Sequence, residues 1–183
     1  MVRIDLETGA VEDRLELKGR NPIGLMDQVG SQLYLADAGS WQENDPAKTG
    51  AAIEVVDTAS FTSKVLVNDV TLGGHAVQVS VTDGCGVAVV AGAYDAGSLT
   101  SLIRFDPESG TVPTGGPLIP TTTGFDINGL AWLDGRILLV GDRSSTSGGY
   151  PIHVFDKGAP CALTERKTPL LALLPPVGIF ALH

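Results

Sequence analysis

No run of Lys and Arg longer than the dipeptide Arg166-Lys167 occurs in this chain of 183 residues. Twelve basic side chains stand against 21 acidic ones, a formal net charge of −9. Such a chain repels phosphate backbones, so nucleic acid is not an expected partner. Long apolar runs are missing too. The longest, 170–182, is broken by Pro175-Pro176 and is too short to cross a bilayer. Residues 1–9 hold no apolar h-region, so no signal peptide is expected within the chain. Cysteine is scarce: Cys85 and Cys161, with three dispersed histidines, cannot build a zinc site. There is no Asn-x-Ser/Thr sequon and no Gly-x-Ser-x-Gly elbow.

Glycine and proline are plentiful, by contrast. Twenty-three Gly and 11 Pro lie between short Val/Ile/Leu runs, which marks many turns and few long helices. A hydrophobic content of 43% argues for a packed globular chain and against disorder. Within it runs a four-fold echo: Val2-Arg3-Ile4-Asp5, Glu54-Val55-Val56-Asp57, Ile103-Arg104-Phe105-Asp106 and His153-Val154-Phe155-Asp156. The aspartates are 52, 49 and 50 residues apart. A second echo lies between them: Pro22-Ile23-Gly24-Leu25, Ala76-Val77-Gln78-Val79, Ile127-Asn128-Gly129-Leu130 and Pro176-Val177-Gly178-Ile179, at spacings of 54, 51 and 49. A period near fifty with strand-like content predicts a propeller or similar array, because one such unit cannot bury its own faces.

Each unit reads as four antiparallel strands. The second has an inner strand over 77–81, a turn at Thr82-Asp83-Gly84, and strands over 87–91 and 101–106. A turn at Pro107-Glu108-Ser109-Gly110 then leads to a return through Thr111-Val112. The first runs 25–26, a turn at 27–31, then 33–36, 53–57 and 64–67. The third runs 130–133, 137–140, 152–156 and a return near Ala162-Leu163. The second strands, such as Val87-Ala88-Val89-Val90 and Ile137-Leu138-Leu139-Val140, are apolar on both faces and need cover from both sides. Neighbouring blades supply that cover. The expected fold is therefore all-β, a partial β-propeller of about three complete four-stranded antiparallel blades plus partial terminal blades. Residues 1–18 would be outer strands of an incomplete blade, 19–70, 71–118 and 119–169 the blades, and 170–183 a connector with a closing inner strand. A larger parent ring is expected, with exposed blade faces prone to self-association. A Cys85–Cys161 bridge is open to an exported protein, but the two fall on an inner hairpin and on an outer hairpin of the next repeat, which disfavours pairing.

The repeated aspartates read as structural. A carboxylate there accepts backbone N–H groups of the turn that follows, as in Asp5-Leu6-Glu7-Thr8-Gly9 and Asp106-Pro107-Glu108-Ser109-Gly110. The closing glycine supplies a positive φ.

The segments Val55-Val56-Asp57-Thr58-Ala59-Ser60-Phe61, Arg104-Phe105-Asp106-Pro107-Glu108-Ser109-Gly110-Thr111-Val112 and Leu138-Leu139-Val140-Gly141-Asp142-Arg143 resemble bacterial β-propellers of the YVTN/NHL-like kind. Leu174-Pro175-Pro176-Val177-Gly178-Ile179 looks like the closing strand of such a ring, the chain corresponding to a C-terminal portion. The resemblance implies a surface, secreted or periplasmic location for the parent protein and defines no active site.

In propellers the loops between second and third strands share one face with the blade-to-blade connections. That face would gather Asp37, Trp41, Glu43 and Asp45, then Tyr94 and Asp95, then Asp142, Arg143 and Tyr150, with His75, Asp126 and Asn128 where successive blades begin. Convergent loops on a rigid scaffold form the default binding site. Aromatics beside carboxylates suit a sugar, a peptide or a cation. The expected function is non-enzymatic binding of a protein, peptide, glycan or small molecule, without a cofactor. The alternative is a calcium-dependent hydrolase or lactonase, whose ion would be held in a central channel by Asp37, Asp126, Asn128 and Asp142. A serine triad from Ser144, Ser145 or Ser147 with His153 is disfavoured, because Val2, Glu54 and Ile103 occupy the His153 slot in the other repeats. Gly84-Cys85-Gly86 lacks the third glycine and the helix of a dinucleotide fingerprint.

Overall fold

The computed structural model describes residues 1–43, 45–92, 100–120 and 126–179. It is all-β, with four antiparallel sheets, none closed. A two-stranded sheet of β1 (Val2–Ile4) and β2 (Val11–Arg14) comes first. The first large sheet has β3 (Pro22–Val29), β4 (Gln32–Asp37), β5 (Ala52–Asp57) and β6 (Thr62–Asn68) in chain order. The second has β7 (His75–Thr82), β8 (Cys85–Ala91), β9 (Thr100–Phe105) and β10 (Ile119–Pro120). The third has β11 (Ile127–Leu133), β12 (Ile137–Asp142), β13 (Tyr150–Gly158) and β14 (Ala162–Glu165), and β15 (Leu170–Ala172) also pairs with β13. Two short helices, α1 (Pro46–Thr49) and α2 (Asp69–Leu72), join elements of the first two large sheets.

Strand β8 shows why the sheets stack. All of its residues are buried, and its alternation divides them between two cores. Ala88 and Val90 enter a cluster with Tyr34, Ile53 and Val55 of the first large sheet. Cys85, Val87 and Val89 enter a second cluster with Trp132, Leu138 and Val140 of the third. A strand with no polar side chain is stable only when both faces are covered, and here a neighbouring sheet covers each. Gly86 belongs to the same packing: the Phe105 ring occupies the space that a Cβ there would need.

Four details depart from the sequence reading. Asp27 lies within β3 and the turn falls at Gly30-Ser31, because its carboxylate is held across the sheet interface by Ser80 Oγ at 2.8 Å and Val81 N at 2.7 Å. The return strand of the second unit is Ile119–Pro120, not Thr111-Val112. Pro113 and the positive-φ glycines Gly115 and Gly116 delay the pairing. Residues 177–179 form no strand and lie against Gly129. Finally, Cys85 and Cys161 do form a disulfide, with Cα atoms 5.1 Å apart. The face of β8 that carries Cys85 is the one packed on the third sheet, so inner and outer hairpins of successive repeats meet there. Lys157 Nζ donating to Asp83 O at 2.6 Å and Arg104 Nη1 to Cys161 O at 3.1 Å reinforce that junction.

Candidate functional site

The inner strands carry the second echo, and each is bulged at the echo itself. The register shifts between Ile23 and Asp27, between Ala76 and Gln78, and between Ile127 and Leu130. A bulge bends its strand and increases the local twist. Here it presses each inner strand onto the next. Gly24, at φ 76°, comes so close to Val77 O that a Cβ would lie 2.9 Å from it. Gly129, at φ 90°, makes the same approach to Ile179 N. Gln78 binds across the middle gap, its Nε2 donating to Asn128 Oδ1 at 2.7 Å and its Oε1 accepting from Gly129 N at 2.9 Å.

All four copies of the echo therefore meet around one pocket of about 270 Å³, to which they contribute Gly24, Gln78, Gly129 and Gly178. A larger cavity of about 670 Å³ shares Val79, Leu130 and Ile179 with it and opens beside the first-to-second-strand hairpins. Its wall mixes Met26, Ala131 and Trp132 with Ser80, Thr82, Asp83 and Asp134. An apolar wall with a few convergent polar groups has the character of a ligand site. The sequence reading used this echo only for the repeat and placed binding on the opposite face.

That opposite face is built differently from the expectation. Asp37 ends β4 fully buried, with neither oxygen engaged by a backbone N–H or another side-chain donor. It faces Glu54, one diagonal step away on β5, because Leu35 is the partner of Glu54 in the register. Burial first, and the Glu54 carboxylate second, push Asp37 up to about 8. At neutral pH it keeps its proton and can share it with Glu54. Glu54 accepts Lys18 N at 2.9 Å and Gly19 N at 2.8 Å, so residues 18–19 lie over the pair. A Cβ on Gly19 would overlap the Asp37 carboxylate. Asp37 is thus a scaffold residue beneath a strap, out of reach of a ligand.

Trp41 lies on the buried His75 ring, centroids 4.1 Å apart, and His75 Nδ1 is 2.6 Å from Ala38 O. Glu43 Oε1 accepts Asp45 N at 3.1 Å, and Asp45 pairs with Lys48 at 2.9 Å. Tyr94 and Asp95 fall outside the described residues. Tyr150 opens β13 opposite Ala172.

Asp126, Asp142 and Arg143 do come together. Arg143 N donates to Asp126 O at 2.7 Å. Burial and the nearby Asp142 charge raise the Asp126 pKa, while Arg143 opposes the shift. Asp142 is spoken for: Oδ1 accepts Ser144 N at 2.7 Å and Ser144 Oγ at 2.6 Å, and Oδ2 faces His153 Nε2 at 3.2 Å. His153 Nδ1 lies 2.6 Å from Glu165 Oε1. The order Ser144–Asp142–His153–Glu165 puts the carboxylate between hydroxyl and imidazole. A nucleophilic serine needs the imidazole beside it, so this is no triad. Of the four oxygen donors in the calcium alternative, Asp37 is turned to Glu54 and Asn128 to Gln78. Among the described residues no group of three or more His, Cys, Asp or Glu is arranged to hold a metal ion.

No protein-family model matches the chain, and no curated protein matches it. Among solved structures, Kuenenia stuttgartiensis hydrazine synthase is similar at 15% identity, over 94% of this chain and 60% of that one, with a TM-score of 0.49. The chain therefore spans less than two thirds of that protein's chain. Among the described residues no helix is long and apolar enough to cross a membrane.

Proposed function

We propose that the three large sheets are blades of a β-propeller-type array, and that the chain is a non-enzymatic binding module whose ligand enters the axial cavity. The observation that carries this reading is the meeting of all four echo copies around one pocket. A position shared by every repeat and aimed at a common axis gives a rigid wall to which each unit contributes. Asp83 and Asp134 at the rim, with Met26 and Trp132 on the wall, favour a ligand with a cationic head and an apolar stem, such as a Lys or Arg side chain of a peptide. An oxidising, extracytoplasmic compartment suits the Cys85–Cys161 disulfide.

The test is calorimetric titration with short peptides containing Arg or Lys, against neutral peptides of equal length. Met26→Trp should abolish binding by filling the cavity from a half-exposed position. Asp134→Asn should weaken it about tenfold through loss of one charge-assisted contact. Arg143→Ala, on the opposite face, should leave it unchanged. Binding that survives Met26→Trp and fails in Arg143→Ala would move the site back to the loops.

A further inference from the structure

The Cys85–Cys161 disulfide is closed on one side and open on the other. Cys85 is fully buried, with Val87, Val89 and Leu102 in the core between the second and third sheets. Cys161 is only partly buried and packs at the edge of that core. It lines a cavity of about 380 Å³ to which Cys85 contributes nothing. The cavity lies between two outer hairpins, with Asp106 and Pro113 on one side and Pro160 and Ala162 on the other. It shares no lining residue with the axial cavity or with the pocket at the echo, so it is independent of the axial ligand. Two opposite charges frame it. Arg104 is partly buried, and its Nη1 donates to Cys161 O at 3.1 Å, which leaves its other N–H groups for a ligand. Asp106 is exposed, and its turn bonds use only Oδ1. The two residues alternate onto one side of β9 and its extension. A ligand with one carboxylate and one ammonium matches this pair.

We propose that Cys161 is a thiol-exchange site, and that the cavity admits a small thiol carrying an α-amino acid group. The thiol gives its proton to solvent, and its thiolate attacks Cys161 Sγ from the cavity. A new S–S bond forms there as the Cys85–Cys161 bond breaks. Cys85 Sγ leaves with the electron pair and takes up a proton from solvent. One thiol is consumed and one is generated, so the exchange needs no oxidant. The Arg104 guanidinium beside Cys161 favours the approach of the thiolate, and its free N–H groups hold the carboxylate. Attack on Cys85 has no route, because that sulfur lies inside the core. An apolar surrounding disfavours the departing Cys85 thiolate, so the exchange is slow, and Cys85 returns to displace the adduct once the thiol is removed. The modification therefore falls on one sulfur, and the apolar packing between the second and third sheets stays in place.

The experiment exposes the folded full chain, without denaturant, to an excess of one of three thiols. These are free cysteine, cysteamine, which lacks the carboxylate, and 3-mercaptopropionate, which lacks the ammonium. Each rate is divided by that of the same thiol with a small linear disulfide, which removes differences in intrinsic reactivity. Acid quenching, alkylation of free thiols and peptide mapping by mass spectrometry locate the adduct, and near-ultraviolet circular dichroism follows the fold. The added thiol should sit on Cys161, with Cys85 alkylated and the dichroism signal retained. Cysteine should react about tenfold faster than cysteamine on this scale, the difference being one charge-assisted contact to Arg104. Arg104→Gln should remove that advantage. An adduct on Cys85, or on both cysteines alike, would overturn the proposal. So would a bond that yields only when urea unfolds the chain, or equal scaled rates for the three thiols with wild type.

Discussion

Asp37 carries a proton where an ordinary aspartate would not. Its folded-state pKa of about 8 lies above the usual value of 3.8, so between those limits the folded chain holds a proton that the unfolded chain releases. The stabilisation from this site is complete below about pH 4 and declines as pH rises, ending above about 8. Asp37→Asn keeps the neutral shape and should flatten the fall in urea midpoint between pH 5 and 8 (roughly the window set by the two pKa values). An unchanged slope would show that the proton sits elsewhere. The carboxylate pair was not legible in the sequence. Leu35-Ala36-Asp37-Ala38-Gly39 reads as a strand running into a loop, and nothing local signals that residues 18–19 cross over it. Glu54 shows the same gap from the other side. Its slot in the echo reads as a tolerant strand position, yet its carboxylate binds the strap.

Turns are the elements that the sequence predicted best. Asp5 accepts Glu7 N at 2.9 Å and Thr8 N at 2.7 Å, Asp57 accepts Ala59 N at 3.0 Å and Ser60 N at 2.7 Å, and Asp106 accepts Glu108 N at 2.8 Å and Ser109 N at 2.9 Å. These bonds favour the charged form and hold all three carboxyls below the usual range. Their stabilisation is present above about pH 4 and is lost as acid titrates them through their lowered values. The fourth copy breaks the pattern. Strand β13 continues to Gly158, so the turn is displaced to residues 159–161, out of line with Asp156, and the Asp156 carboxylate takes Arg166 at 2.9 and 2.7 Å instead. Asp106→Ala should therefore lower the thermal midpoint by a few degrees, while Asp156→Ala, which removes only an exposed ion pair, should shift it by less than about a degree. Equal losses would mean that the turn bonds contribute little. Phe61, at φ 52°, takes the place that Gly9 and Gly110 hold in the other turns. The repeat fixed the conformation there more firmly than the residue.

For the whole molecule, the fifty-residue rhythm was enough to give an all-β chain of successive antiparallel sheets, because a period that long must be a unit of several strands; it did not give the fifth strand, β15, of the third large sheet. It could not give the side on which a cavity opens, which depends on how far each bulge tilts its strand. Nor could it give the disulfide, since hairpin position says little about which sheet faces meet. Cys85 and Cys161 close a loop with a sequence separation of 76. By chain entropy, a cross-link of that span is worth about 4 kcal/mol. Cys85→Ala/Cys161→Ala should lose a stability of that order in urea titration, and a loss below about 1 kcal/mol would show that the second and third sheets hold together by packing alone.

The same covalent link decides how the protein answers a mechanical load. Tension applied to the two termini bypasses everything between Cys85 and Cys161, so stretching can release only the 84 residues before the first cysteine and the 22 after the second. The extended length is then roughly 350–380 Å at about 3.3–3.6 Å per residue, with a reducing agent needed to free the rest. Strands β8 to β13 become a shielded unit, and the first large sheet, β7, β14 and β15 are the parts that force peels away.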